Sequence, residues 1–448
     1  LQFQLAQAYS TAEKPEEALK AIEKAVTLDP RNTSYLLARG QYANWVGRTD
    51  IAEDSYRRIV VLSPDDENAI LNLARAEAWG GELDSSVQSF EKYLNKRPEN
   101  KEALIDYIKV QTWRGNYGKA MKALEKYKQE FGETSDYRKH TARVLASADR
   151  PAAAMELITP LLEAAPDDYE VLYSKTIALR NARRSREALA SLFVMELFRP
   201  ESLESKEMRR YATANIRHYL RGGAEYYTES DSIRITRYQA EGGFQLNTKI
   251  RLMGGEDLQY LNADAGSGLE SMDGRDPVSC RNVWGGIDYQ IFPSLKLAAR
   301  AGGADAGSVV DGKDDLFAYR LGANYRPADA VTLMLANGRD FYAVSPRALS
   351  LGVYKENSSL RMLWTPDLYY TVDISGSRDT YSDGNRGWEA ALAPRRSVIR
   401  SQRLNLDCGA HLWWLGFEDQ PGNGYYSPVL YQRYALKADG YWKINDNN

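Results

Sequence analysis

Residues 78–86 read AWGGELDSS, a tryptophan running directly into a glycine pair. The same phrasing occurs as WVG at Trp45–Gly47 and as WRG at Trp113–Gly115, so the tryptophan and the closing glycine both return after 34 residues. A bulky ring followed at once by a residue that turns the chain, at a fixed interval, marks a repeat architecture. Other positions keep the interval. Pro30, Pro64, Pro98, Pro166 and Pro200 follow it, with Gly132 standing at the skipped place. Ala18, Ala52, Ser86, Ala120, Ala154 and Ala188 are all small and all 34 apart.

A 34-residue period with a small residue in a second helix and a proline at its end resembles the tetratricopeptide repeat. The resemblance covers about residues 1–200 in six units, with a helical connector over 201–221. Tyr9, Gly40, Tyr56, Phe90 and Leu124 stand in that family's favoured places, while Leu36 occupies the first-helix tryptophan position. Each helix pair buries only part of its apolar stripe, so neighbours must stack into a curved α-solenoid. The proline ends each second helix because it cannot continue the hydrogen-bond ladder. The resemblance implies that first helices line the inner surface of the curve and that Trp45, Trp79 and Trp113 border this groove as a row. Two readings of the row stand: rings that pack over the neighbouring repeat, or stacking platforms for a repeating ligand such as a polysaccharide, because flat aromatic faces suit sugar rings.

Composition narrows the function classes. The chain has 448 residues, 43% hydrophobic and 27% charged, enough for two or three domains. A formal net charge of −3 gives no support for a nucleic-acid partner. Only Cys280 and Cys408 are present, outside any CxxC spacing, and are read as free or as one disulfide. His140, His218 and His411 are the only histidines, so neither a metal site nor a cofactor is expected. No Walker loop, HExxH or GxSxG occurs, and an enzyme is not expected. Asp65, Asp66, Asp167 and Asp168 follow repeat prolines and read as helix N-terminal acids. No run of 18 apolar residues suggests a transmembrane helix, although barrel strands would give no such run. The chain opens at Leu1 inside a helical pattern, and a preceding targeting segment is expected.

Beyond Gly222 the period changes to two. In SIRITRYQAEGGFQLNTKIRLMGGEDLQYL (232–261), Ile233 and Ile235 alternate with Arg234 and Thr236, and Ile250 and Leu252 with Lys249 and Arg251. About a dozen such strands fit into 222–448. Short turns at NT (247–248), FPS (292–294), RPADA (326–330) and TPD (365–367) alternate with long polar links such as NADAGSGLESMDGRDP. That layout, with aromatics near strand ends, is that of an antiparallel outer-membrane β-barrel. A soluble sandwich explains the alternation of residues but not the alternation of connections. A barrel would point Arg234, Lys249, Arg251, Lys296, Arg300, Arg320, Arg361, Asp373, Arg403 and Asp407 inward, as salt bridges or as transport residues.

A repeat array ahead of a barrel resembles the outer-membrane exporters of biofilm exopolysaccharides. SPRALSLGVYKENSSLRMLW (345–364), RDTYSDGNRGW (378–388) and GYYSPVLYQRYAL (424–436) look like the barrel of the poly-β-1,6-N-acetylglucosamine export porins, with the cellulose exporters, which also carry tetratricopeptide repeats, as rival. The family barrel has sixteen strands, so with about a dozen here and no terminal aromatic in KINDNN, a truncated chain or a different closure is expected. The resemblance implies passive export across the outer membrane of a Gram-negative bacterium, with the array in the periplasm. It implies as partners the polymer, a periplasmic polysaccharide-modifying enzyme on the repeats, and membrane lipid. For a partly deacetylated polymer, Asp257, Asp373, Asp379 and Asp383, with Arg378 at the mouth, are the expected guiding residues, through weak multi-site attraction. Turn chemistry is the competing account of Asp379 and Asp383. A membrane-anchored scaffold for partner proteins is the rival class; it predicts a plugged lumen, whereas an exporter predicts an open one.

Overall fold

The computed structural model describes residues 1–448 except 201, 215, 230–232, 308, 311–313 and 444–448, so most of the KINDNN ending lies outside it. The chain is a tetratricopeptide solenoid followed by a curled, barrel-like antiparallel sheet.

Six helix pairs form the array: α1 (Gln2–Thr11) with α2 (Pro15–Leu28), α3 (Thr33–Trp45) with α4 (Thr49–Leu62), and α5 (Glu67–Trp79) with α6 (Leu83–Lys96). The remaining pairs are α7 (Lys101–Trp113) with α8 (Tyr117–Phe131), α9 (Ser135–Ser147) with α10 (Pro151–Ala164), and α11 (Tyr169–Asn181) with α12 (Ser185–Phe198). A thirteenth helix, α13 (Leu203–Ala214), packs on α12. The six small residues of the second helices are all fully buried, which lets the helices approach closely. Gly40 is required by the same crowding, since a Cβ there would stand 2.6 Å from the Tyr56 ring.

The helix termini follow two rules. First helices carry their own caps: Asn32, Asp66, Asn100, Thr134 and Asp168 each accept hydrogen bonds from main-chain N–H groups of the first turn. Second helices α2, α4, α6, α10 and α12 begin with no side-chain cap from their N-cap residue. Before each second helix the chain turns through a left-handed residue. Gly47, Gly81 and Gly115 take it without penalty, while Glu13, Asp149 and Arg183 hold it at φ 55–60° despite their side chains.

The sheet runs β1 (Tyr219–Thr228), β2 (Ile233–Gln245), β3 (Ile250–Ala263), β4 (Val278–Phe292), β5 (Leu295–Ala306) and β6 (Asp315–Ala328). After β7 (Val331–Phe341) a short helix, α14 (Pro346–Ser350), precedes β8 (Tyr354–Trp364), β9 (Tyr370–Tyr381), β10 (Arg386–Arg400), β11 (Leu404–Phe417) and β12 (Tyr431–Trp442). All twelve strands lie in sequence order. β1 begins at Tyr219, inside the stretch expected as connector. β1 and β12 are not paired with each other among the described residues, so the sheet is curled rather than closed.

The curl has a definite sense. Asn282 on β4 donates to Asp340 on β7 at 2.9 Å although β5 and β6 lie between them. In a flat sheet these strands would be about 14 Å apart. The face carrying Asn282 and Asp340 is therefore the concave one. Following the register, the opposite face carries Leu252, Ile287, Leu297, Leu321, Leu335 and Leu360 in a continuous apolar surface. Tyr289, Tyr325, Trp364 and Tyr370 border it on the side of the short turns. No helix among the described residues is long and apolar enough to cross a membrane.

Register also corrects the inward set. Arg251, Lys296, Arg300, Arg320, Arg361, Asp373 and Asp407 are concave. Arg234 is convex and ion-pairs with Asp264 at 2.8 Å beyond the apolar surface. Arg378 is convex too, directly opposite Trp388 in the ladder, because a one-residue step in a strand reverses the face. Lys249 and Arg403 lie in hairpin turns. Both cysteines are free, Cys280 concave and buried, Cys408 convex.

Candidate functional site

Three regions carry the chemistry: the inner row of the repeats, the junction between array and sheet, and the concave face of the sheet. In the first, Trp45, Trp79 and Trp113 are the last residues of α3, α5 and α7, and their side chains are 52%, 59% and 50% exposed. Rings so exposed are not buried between repeats. One turn earlier on the same helices stand Arg75 and Lys109, and Arg143 continues the 34-residue spacing on α9. This basic row was legible in the sequence from its interval alone, but no motif drew attention to it.

Around Lys109, Trp113 and Arg143 the first helices α7, α9 and α11 enclose a groove of about 430 Å³. Two of its four cations face carboxylates and two lie over tyrosine rings, Arg199 over Tyr169 and Arg143 over Tyr173. Lys139 bonds Asp168 at 2.5 Å and Lys109 lies 3.6 Å from Glu170, while the Arg143 guanidinium sits 3.9 Å over the Tyr173 ring. His140 forms part of the wall; burial, reinforced by the Lys109 charge, pushes it down to about 4 and keeps it neutral near pH 7. Such a surface offers aromatic planes and hydrogen bonds with an excess of positive charge.

The junction explains why the repeats lie where they do. The left-handed turns ahead of the second helices of the third to sixth repeats face the hairpin turns of the sheet. Gln402, in the β10–β11 turn, accepts from Leu83 N–H at 2.9 Å, and its own N–H donates to Asp84 at 3.1 Å. Tyr369, in the β8–β9 turn, lies against Gly118, where any side chain would collide with its ring. Arg150 donates to the carbonyls of Asp329, Thr365 and Asp367 at 2.7, 2.6 and 3.0 Å and to the Thr365 hydroxyl at 2.8 Å. Arg183 reaches Asn324 at 3.1 Å. Trp79 and Trp113 are thus a few residues from contacts with the rim of the sheet, and between the two domains opens a polar chamber of about 460 Å³ lined by Arg183, Lys249, Asp288 and Lys296.

On the concave face the expected guiding carboxylates are already engaged. Asp257 is gripped by Arg237 at 2.8 and 3.0 Å, and Asp373 by Arg361 at 2.9 Å. Asp379 accepts from Asn357 at 2.5 Å and Lys355 at 3.2 Å. Asp383 lies in the β9–β10 turn, where it accepts from Asn385 N–H at 3.1 Å and from Tyr425 and Asn423 at 2.8 and 3.0 Å. These four residues are not brought together into one site. Beside Asp257 a concave cavity of about 410 Å³ is lined by Arg300, Arg320, Asp340 and Lys355 as well.

The end of the sheet opposite the hairpin turns is filled. Leu349 of α14 packs inside against Val278, Cys280, Ala304 and Leu316. Ser345 donates to the Gly424 carbonyl at 2.5 Å, and the Tyr381 and Tyr425 rings stack at 5.1 Å. Connections at this end are not uniformly long, since the β9–β10 link over 382–385 is tight.

A family model described as Tetratricopeptide repeat matches residues 3–67. No curated protein matches. Among solved structures the chain is similar to a tetratricopeptide repeat protein from Parabacteroides merdae ATCC 43184, at 15% identity over 48% of this chain and 84% of that one, with a TM-score of 0.43. A structure described as a bacterial polysaccharide outer membrane secretin matches at 16% identity over 52% and 75%, with a TM-score of 0.42. PilW, a type IV pilus biogenesis factor, matches at 19% identity over 46% and 96%, with a TM-score of 0.37.

Proposed function

We propose that the chain exports an exopolysaccharide across the outer membrane, with its repeats on the periplasmic side, and that the polymer is of the poly-β-1,6-N-acetylglucosamine kind. One observation carries the reading. A row of half-exposed tryptophans leads along the inner repeats to the rim of a curled sheet that is polar inside and apolar outside. The sheet face toward lipid supplies anchorage, and the concave face supplies a wetted path. With Asp257, Asp373 and Asp379 each held by a cation, attraction of ammonium groups is a minor force on this face. Contact through stacking on aromatic faces and hydrogen bonds to acetamido and hydroxyl groups fits better, and it leaves each step weak enough for the polymer to move on. The same repeats are where a polysaccharide-modifying enzyme would dock.

The filled end around α14 favours a second reading, a membrane-anchored scaffold whose repeats bind partner proteins. Binding of β-1,6-linked N-acetylglucosamine oligomers and of cello-oligomers to the full chain in detergent separates the cases. Binding of the first, weakened by Trp79→Ala and Trp113→Ala, supports export of that polymer. Preference for cello-oligomers moves the assignment to cellulose, and binding of neither leaves the scaffold.

A further inference from the structure

Of the second helices only α8, through Asn116, has a side-chain cap of its own, and at two of the other five the sheet supplies what is missing. At α10 the N-cap residue is Arg150, whose side chain makes no cap bond. The two main-chain N–H groups that a cap would satisfy, those of Ala152 and Ala153, donate instead to the carboxylate of Asp329 at 3.2 and 3.1 Å. Asp329 belongs to the β6–β7 hairpin turn, 176 residues away from Ala153 in sequence. At α6 the first N–H, that of Leu83, likewise donates to Gln402 of the β10–β11 turn. A carboxylate or amide oxygen at a helix N-terminus is favoured both by the unsatisfied N–H groups and by the helix dipole. Here that oxygen comes from another domain.

The exchange at α10 runs both ways. While Asp329 caps the helix, Arg150 fans its guanidinium over three hairpin carbonyls and one hydroxyl, and Arg326 of β6 donates to the Asp149 carbonyl at 2.6 Å and carboxylate at 3.1 Å. Asp149 and Arg183 are two of the three non-glycine residues held in the left-handed conformation among the described residues, and both reach the sheet from it. Glycine at either place would relax the backbone but remove the side-chain contact.

Geometry makes the arrangement repeatable. Neighbouring helices pack about 8–10 Å apart, and two strands of a sheet span about 9.5 Å, so repeat turns and hairpin turns have similar pitch. The turns of the third to sixth repeats accordingly meet the hairpin turns in reverse order, from β10–β11 to the end of β6.

We propose that Arg150 and Asp329 are positioning residues that seat the array on the short-turn rim by capping in trans, and so hold the inner row of the repeats in line with the concave face. The seating stands on the geometry alone; its purpose, delivery of polymer to the lumen, rests on the export reading. The test measures seating without any polymer. The full chain, with Cys280→Ser and Cys408→Ser, is reconstituted in lipid nanodiscs and spin-labelled at Glu163→Cys on α10 and Pro293→Cys in the β4–β5 turn. The unaltered latch gives one narrow distance distribution. Asp329→Ala and Arg150→Ala broaden it several-fold, Asp329→Asn keeps it narrow because asparagine also caps helices, and Arg150→Lys fails to restore it because an ammonium lacks the planar fork. Asp329→Ala leaves every residue of the array in place, so misfolding of the helices is not the cause of its effect, which circular dichroism verifies. A broad distribution in the parent protein, or a narrow one in the Arg150→Ala, Asp329→Ala double variant, overturns the proposal. Loss of export with narrow distances would instead count against the export reading.

Discussion

Asn282 and Asp340, on strands separated by two others, are joined by a 2.9 Å hydrogen bond, and this contact measures how tightly the sheet is curled. Replacing Asn282 by leucine removes a donor from a carboxylate that solvent still reaches. The expected cost is about 0.5–1.5 kcal/mol of stability, read as a lower unfolding temperature in detergent. Unchanged stability would mean that the curl is held elsewhere.

Gly40 and Tyr56 give a prediction for the array. A methyl group at Gly40 would lie 2.6 Å from ring atoms, so Gly40→Ala should cost about 1–3 kcal/mol through overpacking. Tyr56→Leu in the same chain should recover part of that loss. Equal thermal unfolding of Gly40→Ala and parent would show that the repeat interface is looser than this contact implies.

Left-handed turns at Glu13, Asp149 and Arg183 predict opposite outcomes for the same substitution. Glu13 makes no contact with the sheet among the described residues, so Glu13→Gly removes strain and should stabilise by up to about 1 kcal/mol. Asp149→Gly relaxes an equal strain but loses the bond from Arg326 to its carboxylate, keeping the one to its carbonyl, and should loosen the junction. Denaturant unfolding of the two variants decides whether the strain at Asp149 is coupled to docking.

His140 supplies the pH prediction. Its ordinary value of 6.5 is lowered to about 4 by burial and by Lys109, against the opposing carboxylates of Glu170 and Asp136; Lys139 adds to the lowering. The unfolded chain therefore binds a proton that the folded one refuses. This contribution to stability is fully present above about pH 6.5 and is lost as pH falls from 6.5 toward 4, by about 3 kcal/mol at most. His140→Gln should flatten that part of the pH–stability curve; an identical slope would assign the loss to other groups.

Much of this organisation could be read from the chain. The 34-residue interval located the tryptophans at helix ends and the buried small residues, because each repeat solves the same packing problem with the same residue types. Period-two alternation located the strands, because each has one apolar and one polar face. The inward reading of Arg234 fails, since parity along a strand is set by its ladder and not by local composition. The saturation of Asp257 and Asp373 depends on partners 20 and 12 residues away across a hairpin, which spacing alone does not choose. Docking leaves a trace in the sequence: Asp149 and Arg183 stand where the second to fourth repeats have glycine. At these two L-residues the left-handed backbone is accompanied by contact with the sheet.

Whether polymer passes through the concave face is tested most directly by electrical recording of the full chain in planar bilayers, in parent protein and in a variant whose residues 344–352 are replaced by a short glycine-serine link. This change removes α14 from the filled end. The export account predicts little current from the parent, steady conductance from the variant, and brief interruptions when β-1,6-linked N-acetylglucosamine oligomers are added on the repeat side. A variant that stays closed, or that conducts without interruption by any oligosaccharide, would contradict it.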